Sequence, residues 1–283
     1  MVRQTLELLR VGLLPSEEDA RALYALLGPE NLPGEQSRFI NLGYWADAEH
    51  HRYDQGATAL ADRLAEAAAL SRAKRVLDVG FGYGDQLLRW LDTSPLETLF
   101  GLNLSAPQLQ HARALLRAHP QGERTQLIHG SACALPLADN SVDRVLALES
   151  AFHFSPRTRF FAQAHRVLEP GGLLALADIL LMPGAKLGWP FTSAWRIPEA
   201  NCIDRIQYAD QLRDAGFEDV QVTSIREHVF DPLLDRLGRS LREPDVVARM
   251  NPLLRAVCLP NPYTRRVLGR FDYVIATARK PGR

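Results

Sequence analysis

The segment VLDVGFGYG, residues 76–84, combines residue types that can hold a small charged ligand. Its three glycines alternate with other residues, and glycine allows both positive φ angles and a close approach of a ligand to the main chain. Dinucleotide sites use the spacing Gly-x-Gly-x-x-Gly, with a pyrophosphate at the following helix. Here the spacing is Gly-x-Gly-x-Gly, and Asp78 precedes it. A carboxylate repels a pyrophosphate but pairs with a cationic amino group, so the segment favours an amino-acid-like ligand over a tight turn alone.

Short apolar runs that alternate with helical stretches predict where this glycine segment lies. The helices are expected to begin near Gly84, Ser105 and Ser155: Ser105 and Gln108 have the spacing of a capping box, and Pro156 suits a first helical position. Five strands that alternate with helices predict a doubly wound parallel sheet, with ligands at the carboxyl ends of the strands. The runs cover residues 75–80, 98–104, 125–130, 142–149 and 172–180.

The flanks of this core have a different character. Residues 1 to about 45 have a helical pattern, with a start signal at Ser16 and a stop at Gly28, and residues 54–70 form an amphipathic helix. Residues 181–206 hold too many prolines and aromatic residues for a regular sheet unit, which favours a lid. Helices and two further strand candidates, residues 220–225 and 271–278, complete the chain.

Composition excludes several classes of protein. The 283 residues include 33 basic and 33 acidic side chains, and this balance argues against a broad nucleic-acid-binding surface. Three dispersed cysteines, Cys133, Cys202 and Cys258, fit a reducing compartment and no disulfide framework. The most apolar stretch, residues 171–182, is too short to span a bilayer. We therefore expect a cytoplasmic protein without stable membrane insertion, a monomer or homodimer, and no metal site.

Six segments occur in the order seen in one enzyme family. Together they resemble the class I S-adenosylmethionine-dependent methyltransferases, and a GYW segment at 43–45 is similar to one in the branch that modifies natural products and quinones. The six are VLDVGFGYG (76–84), GLNLSAPQ (101–108), GSACALPLADNSVD (130–143), LALESAFHF (146–154), RVLEPGGLLALAD (166–178) and AGFEDV (215–220).

The resemblance implies an α/β, Rossmann-like seven-stranded sheet, mostly parallel with the last strand antiparallel. It further implies four parts: a helical cap at 1–53, a cofactor-binding core at 54–180, a substrate lid at 181–215, and the rest of the sheet with inserted helices at 216–283. S-adenosylmethionine is the implied cofactor. Its expected contacts are Asp78, Gly80, Gly82 and Gly84 for the methionine part, Asn103, Leu104 and Gln108 for the ribose, Ser131, Ala132 and Cys133 for the adenine, and Glu149 beneath the sulfonium.

Two of these positions depart from the commonest family pattern. Asn103 stands where Asp or Glu usually holds both ribose hydroxyls, although an amide still accepts one hydrogen bond and donates another. Ser131 stands where Asp often reaches the adenine, so adenine recognition is expected to use backbone groups.

The family also implies candidates for the chemistry at the acceptor. His153 follows the fourth strand and Asp178 ends the fifth, so both reach the same sheet edge and are similar to general-base candidates of sugar- and polyketide-modifying relatives. The alternatives are that His153 caps the next helix and that Asp178 satisfies loop amides. Aromatic residues expected above this edge predict a bulky, apolar acceptor: Tyr44, Trp45, Phe152, Trp189, Phe191 and Trp195.

These features predict methyl transfer to a small, largely apolar metabolite. O-methylation, with His153 as the general base, is the preferred chemistry. C-methylation of an alkene or prenyl-type acceptor, with Glu149 or Asp178 as the base, is the alternative chemistry, since aromatic faces stabilise cations. A nicotinamide-dependent oxidoreductase and a cofactor-binding cyclase or partner protein without transfer activity are the alternative functions.

Overall fold

A computed structural model describes residues 32, 34, 36–46, 52–187, 197–252, 255–256 and 259–282. The helix expected between Ser16 and Gly28 lies outside these residues, as do Trp189, Phe191, Trp195 and Cys258.

A seven-stranded sheet forms the centre of the molecule, in the order β3-β2-β1-β4-β5-β7-β6. Strands β1 to β5 pair in parallel, whereas β7 runs antiparallel between β5 and β6. This arrangement confirms the expected fold class, including the single reversed strand. The strands are β1 (Arg75–Val79), β2 (Thr98–Asn103), β3 (Thr125–His129), β4 (Val142–Leu148), β5 (Leu168–Leu181), β6 (Glu218–Ser224) and β7 (Phe271–Arg279).

Helices cover both faces of the sheet, which explains why strands β1, β4, β5 and β7 are mostly buried, whereas the edge strands β3 and β6 are not. Successive residues of β1 point to opposite faces: Val76 packs in one buried cluster with Leu60 and Trp90, and Leu77 packs in the other with Phe160. The described helices are α1 (Tyr53–Ala67), α2 (Asp85–Thr93), α3 (Ala106–Ala118), α4 (Arg157–Val167), α5 (Arg205–Asp214), α6 (Phe230–Ser240), α7 (Pro244–Arg249) and α8 (Pro262–Leu268). Within the described ranges, none is long and apolar enough to cross a bilayer.

Two details of the helix starts differ from expectation. The capping box at Ser105 is wrong, because its side chain makes no capping bond to α3 and its backbone N–H instead donates to Asn103 Oδ1 at 2.9 Å. Pro156 is the N-cap of α4 rather than its first residue, since the helix begins at Arg157. The helical pattern expected up to about residue 45 is wrong for residues 36–46, which contain no helix. Elsewhere the predicted elements match within a few residues, although β5 is longer at both ends than its apolar run.

Candidate active site

The glycine segment between β1 and α2 turns through three positive φ angles, at Gly80, Gly82 and Gly84. Gly80 has a φ of 85° and lies against the loop that follows β4: a Cβ atom there would be 2.4 Å from Ser150 Cβ. At Gly84, with a φ of 108°, a Cβ atom would be 2.9 Å from Ala112 Cβ in α3. Both the backbone angle and the lack of space therefore require glycine at these two positions.

A cavity of about 1130 Å³, its open mouth included, lies above this segment at the carboxyl edge of the sheet. Its position is the usual ligand site of an open α/β sheet. The floor comes from the ends of β1, β2 and β4, and the segment before α1 contributes one side. The predicted site residues in its lining are Gly80, Gly82, Asn103, Leu104, Gln108, Ser131, Ala132, Cys133, Glu149 and His153.

Asn103 at the end of β2 is held by its own neighbours. Its Nδ2 group donates to Gln108 Oε1 at 3.0 Å and to the Gly82 carbonyl at 3.3 Å, and its Oδ1 accepts from Ser105 N. Ser105 Oγ is buried in the same wall without a hydrogen-bond partner. This side of the cavity is therefore polar and preorganised.

Asp78 does not line the cavity. Its carboxylate is fully buried below the glycine segment, where Gln86 Nε2 donates to both oxygens at 3.0 and 2.8 Å and Trp90 Nε1 donates at 2.7 Å. Burial raises the pKa of Asp78 to about 6, against the lowering effect of these hydrogen bonds. Gln86 does line the cavity, so Asp78 acts there through the side chain that it orients.

Glu149 follows β4 with a φ of 50°, a left-handed conformation that is strained for a residue with a side chain. Its Oε1 accepts hydrogen bonds from Tyr273 OH at 2.6 Å and from Leu42 N at 2.7 Å. Burial raises the pKa of Glu149 to about 7, although both hydrogen bonds oppose this shift. A partly neutral carboxyl group thus lies in the cavity wall near pH 7.

His153 lies in the short 3₁₀ turn Ala151–His153 and lines the cavity together with Phe154. Its ring packs on Phe152, with the ring centroids 4.0 Å apart. Phe152 itself is 5% exposed and belongs to the core, so Phe154 is the aromatic residue that this loop presents to the cavity.

The prediction that Asp178 ends the fifth strand is wrong. Strand β5 continues to Leu181, so Asp178 lies inside the sheet opposite Val274 and has no exposed surface. Its Oδ2 accepts from Arg157 Nη1 at 3.1 Å and from Tyr208 OH at 2.8 Å. Burial raises the pKa of Asp178, while the Arg157 guanidinium acts in the opposite direction. The structure does not bring this carboxylate to the cavity.

Tyr44 and Trp45 also lie away from the cavity lining. Trp45 is 4% exposed in the core, and its Nε1 donates to the Leu42 carbonyl at 2.9 Å. Tyr44 pairs with the backbone of Gly56, and its ring lies beside Arg63. These two residues fasten the segment before α1 to the body of the protein.

That segment supplies cavity residues that sequence reasoning missed: Arg38, Phe39, Ile40 and Asn41 all line the cavity. Arg38 N donates to Asp85 Oδ1 at 2.9 Å, and Leu42 N donates to Glu149 as described above. The helical pattern expected there does not form, and these hydrogen bonds join residues far apart in sequence, so no local signal indicates the position of the stretch. The similarity of the adjacent GYW segment, residues 43–45, to one in the family was the signal that could have indicated this stretch.

Comparison with known proteins identifies the family. Residues 77–176 match the family model described as a methyltransferase domain. The chain is 37% identical over 278 residues to erythromycin 3''-O-methyltransferase of Saccharopolyspora erythraea, a match that covers 93% of this chain and 90% of the relative. It belongs to the S-adenosylmethionine-dependent methyltransferases. The nicotinamide-dependent alternative is thereby excluded.

One further relative and one solved structure are also similar to this methyltransferase. It is 32% identical over 194 residues to 27-O-demethylrifamycin SV methyltransferase of Amycolatopsis mediterranei, covering 67% of this chain and 70% of that one. A crystal structure of the [4+2]-cyclase SpnF superposes with a TM-score of 0.75 at 26% identity, covering 94% of this chain and 97% of the other.

The residues present fit the cofactor of the family. The glycine segment leaves its main chain open to a ligand, and Asn103, Gln108 and the unpartnered Ser105 Oγ form a polar wall beside it. Ala132 and Cys133 contribute less polar side chains to the lining, from the loop after β3. One cavity therefore offers surfaces for an amino-acid part, a ribose and an adenine.

Proposed function

We propose that this methyltransferase methylates a hydroxyl group of a bulky, largely apolar natural product, with His153 as the general base. The observation that carries this proposal is that His153 and the glycine segment line one cavity. Two relatives that match most of this chain support it by their names: one is an erythromycin 3''-O-methyltransferase and the other methylates 27-O-demethylrifamycin SV.

We assign the cofactor contacts in the order of the cavity wall. Gly80 and Gly82 face the methionine part, Asn103, Leu104 and Gln108 the ribose, and Ser131, Ala132 and Cys133 the adenine. S-adenosylmethionine supplies a methyl group already activated by its sulfonium. The protein therefore has to align the acceptor, exclude water and accept a proton.

His153 is the group best placed to take that proton. Its imidazole reaches the cavity, whereas Asp178 is enclosed by Arg157 and Tyr208 and holds a structural place. Glu149 is bound by Tyr273 and Leu42, so we assign it to the cavity wall rather than to proton transfer. Phe154 adds an aromatic surface for the acceptor.

The test is a reaction with S-adenosylmethionine that carries an isotopic label at the methyl carbon. The acceptors are hydroxylated macrolactones, their glycosides and 27-O-demethylrifamycin SV, with a prenyl diphosphate as the comparison. We expect a product heavier by one methylene group, whose labelled carbon resonates in the O-methyl region of the carbon NMR spectrum. A label in the aliphatic C-methyl region would overturn O-methylation.

A second candidate is a cyclase that binds the cofactor without transferring its methyl group. The similarity to SpnF over nearly the full length of both chains favours it. It predicts tight binding of S-adenosylmethionine, no S-adenosylhomocysteine with any acceptor, and [4+2] cyclisation of a compound that carries a diene and an alkene, without a change in mass. Formation of S-adenosylhomocysteine that depends on an acceptor would exclude it.

A further inference from the structure

Asn201 joins the loop that carries His153 to a distant part of the chain. It is 2% exposed and ends the 3₁₀ turn Glu199–Asn201, just before α5. Its Nδ2 group donates to the carbonyl of Phe152 at 3.0 Å and to the carbonyl of Phe154 at 2.6 Å. These two carbonyls flank His153, so one amide group fixes the backbone on both sides of the imidazole.

Asn201 is itself held by Arg157, the first residue of α4. Arg157 Nη2 donates to the Asn201 carbonyl at 3.2 Å, and Arg157 N donates to Asn201 Oδ1 at 3.4 Å. The same guanidinium pairs with Asp178 and stacks 4.5 Å above the Tyr208 ring. The clamp, as we name Asn201, Arg157 and Asp178 together, is thus anchored in β5.

A buried ion pair is a costly way to fill this space. Both side chains of the Arg157–Asp178 pair are fully buried, and such a pair is often no more stable than apolar residues of similar volume. The charged pair instead fixes an orientation, because the planar guanidinium of Arg157 bonds Asn201 at a defined angle and distance. The amide of Asn201 passes that constraint to the His153 loop.

We propose that Asn201 is a positioning residue for His153 in methyl transfer, supported by Arg157 and Asp178. The proposal rests on the proposed function only where it assigns the proton transfer to His153. Within the turn itself, His153 N donates to Ser150 O and Phe154 N donates to Ala151 O. A shift of about 1 Å in a reacting group can cost about 100-fold in rate, so the clamp matters more for kcat than for binding.

The test compares Asn201→Asp with the wild type in two ways. The change keeps the shape of the side chain but replaces the donating amide by an oxygen that faces two carbonyls. The first readout is the NMR spectrum of the histidine rings, with His153 assigned by His153→Gln, in the protein saturated with S-adenosylhomocysteine. This readout needs no acceptor, so it separates failure of the clamp from failure of the proposed function. The second is kcat and KM with the best acceptor of the macrolactone panel.

We expect the His153 ring signals to shift and kcat to fall about 10- to 100-fold, with S-adenosylhomocysteine affinity unchanged. Cys202→Ser, a neighbouring change outside the clamp, should leave both readouts as in the wild type. If Asn201→Asp does not fold, Asn201→Ala and Arg157→Lys give the same comparison. A folded variant with wild-type His153 signals, or a rate loss that only follows the folded fraction, would overturn the proposal.

Discussion

At the scale of single residues, three acidic side chains of the sheet edge and centre are buried away from water. Asp78, Glu149 and Asp178 have pKa values raised by burial, and only Glu149 among them lines the cavity. The other two carboxylates organise Gln86, Trp90, Arg157 and Tyr208. Of the three carboxylates that the sequence suggests for the site, one therefore lines the cavity, one orients a cavity residue, Gln86, and one lies in the sheet away from the cavity.

Replacing His153 tests the base directly. His153→Gln should lower kcat about 100- to 10,000-fold, because the acceptor then lacks the general base that we propose, while cofactor affinity stays the same. Stopped assays of S-adenosylhomocysteine formation and calorimetry measure the two quantities. His119→Gln, at the surface beside Asp92, is the matched control. Full activity of His153→Gln would remove this residue from the mechanism.

Replacing Glu149 tests its raised pKa through stability. The pKa rises from 4.5 to about 7 on folding, so folding binds a proton between these values and stability falls as pH increases through them. Glu149→Gln keeps an oxygen for Tyr273 and Leu42 but carries no charge. The free energy of unfolding of the variant should exceed that of the wild type by up to about 3 kcal/mol at pH 8. This difference should vanish near pH 4.5.

Urea unfolding of the ligand-free protein across this pH range measures the effect of Glu149→Gln. Glu218→Gln, an exposed position in β6, is the control for the substitution itself. An advantage that is the same at every pH would contradict the proposed linkage, since loss of a titrating group must make the difference depend on pH.

At the scale of elements, two loops depend on one another. The glycine segment after β1 and the loop after β4 meet where Gly80 lies against Ser150, and Ser150 Oγ donates to the Val79 carbonyl at 2.6 Å. Parallel neighbouring strands bring these two loops to the same edge. Both line the cavity, one through Gly80 and Gly82 and the other through Glu149 and His153.

Gly80→Ala should break this contact. The new methyl group would lie 2.4 Å from Ser150 Cβ, so we expect both lower stability and loss of S-adenosylhomocysteine binding. Gly171→Ala separates the two causes, because Gly171 has a similar φ of 79° and nothing within 4 Å of an added Cβ. It should lose about 1–3 kcal/mol of stability from strain and retain binding. Equal binding losses in both variants would refute the steric explanation.

The sequence predicted the elements and the strand-end residues well, because both follow from hydrophobic period and chain order. Asn103, Gln108, Cys133, Glu149 and His153 line the cavity for that reason. Side-chain direction was harder: Phe152 and Phe154 differ only in which way an irregular turn points them. Asp178 was misplaced because an apolar run does not show where a strand ends. The clamp and the position of the segment 36–46 depend on contacts between residues that are distant in sequence. No local sequence pattern predicts such contacts.

At the scale of the whole molecule, the segment 36–46 closes one side of the cavity and is bound to several elements. Arg38 N bonds to Asp85 in α2, Leu42 N to Glu149 after β4, and Trp45 N to the carbonyl of His228. The segment therefore connects the cofactor surface with the far side of the sheet.

Hydrogen exchange tests this connection. At about 100 times its Kd, S-adenosylhomocysteine stabilises the folded state by about 2.7 kcal/mol, and the segment over the ligand should gain much of that protection. Mass spectrometry should show slower exchange in peptides that cover residues 38–45. Peptides from β6 at the remote sheet edge should exchange as before. Unchanged exchange in 38–45 would mean that the segment does not close over the cofactor.

The Asn201 contact also limits how such enzymes can be recombined. One way to seek a new acceptor preference is to exchange the stretch after β5 between homologues. A junction placed beyond Asn201 would carry away the amide that steadies the imidazole, so the chimaera would lose turnover together with its old preference. Junctions at Leu187 and Ile197 would leave that amide with its host.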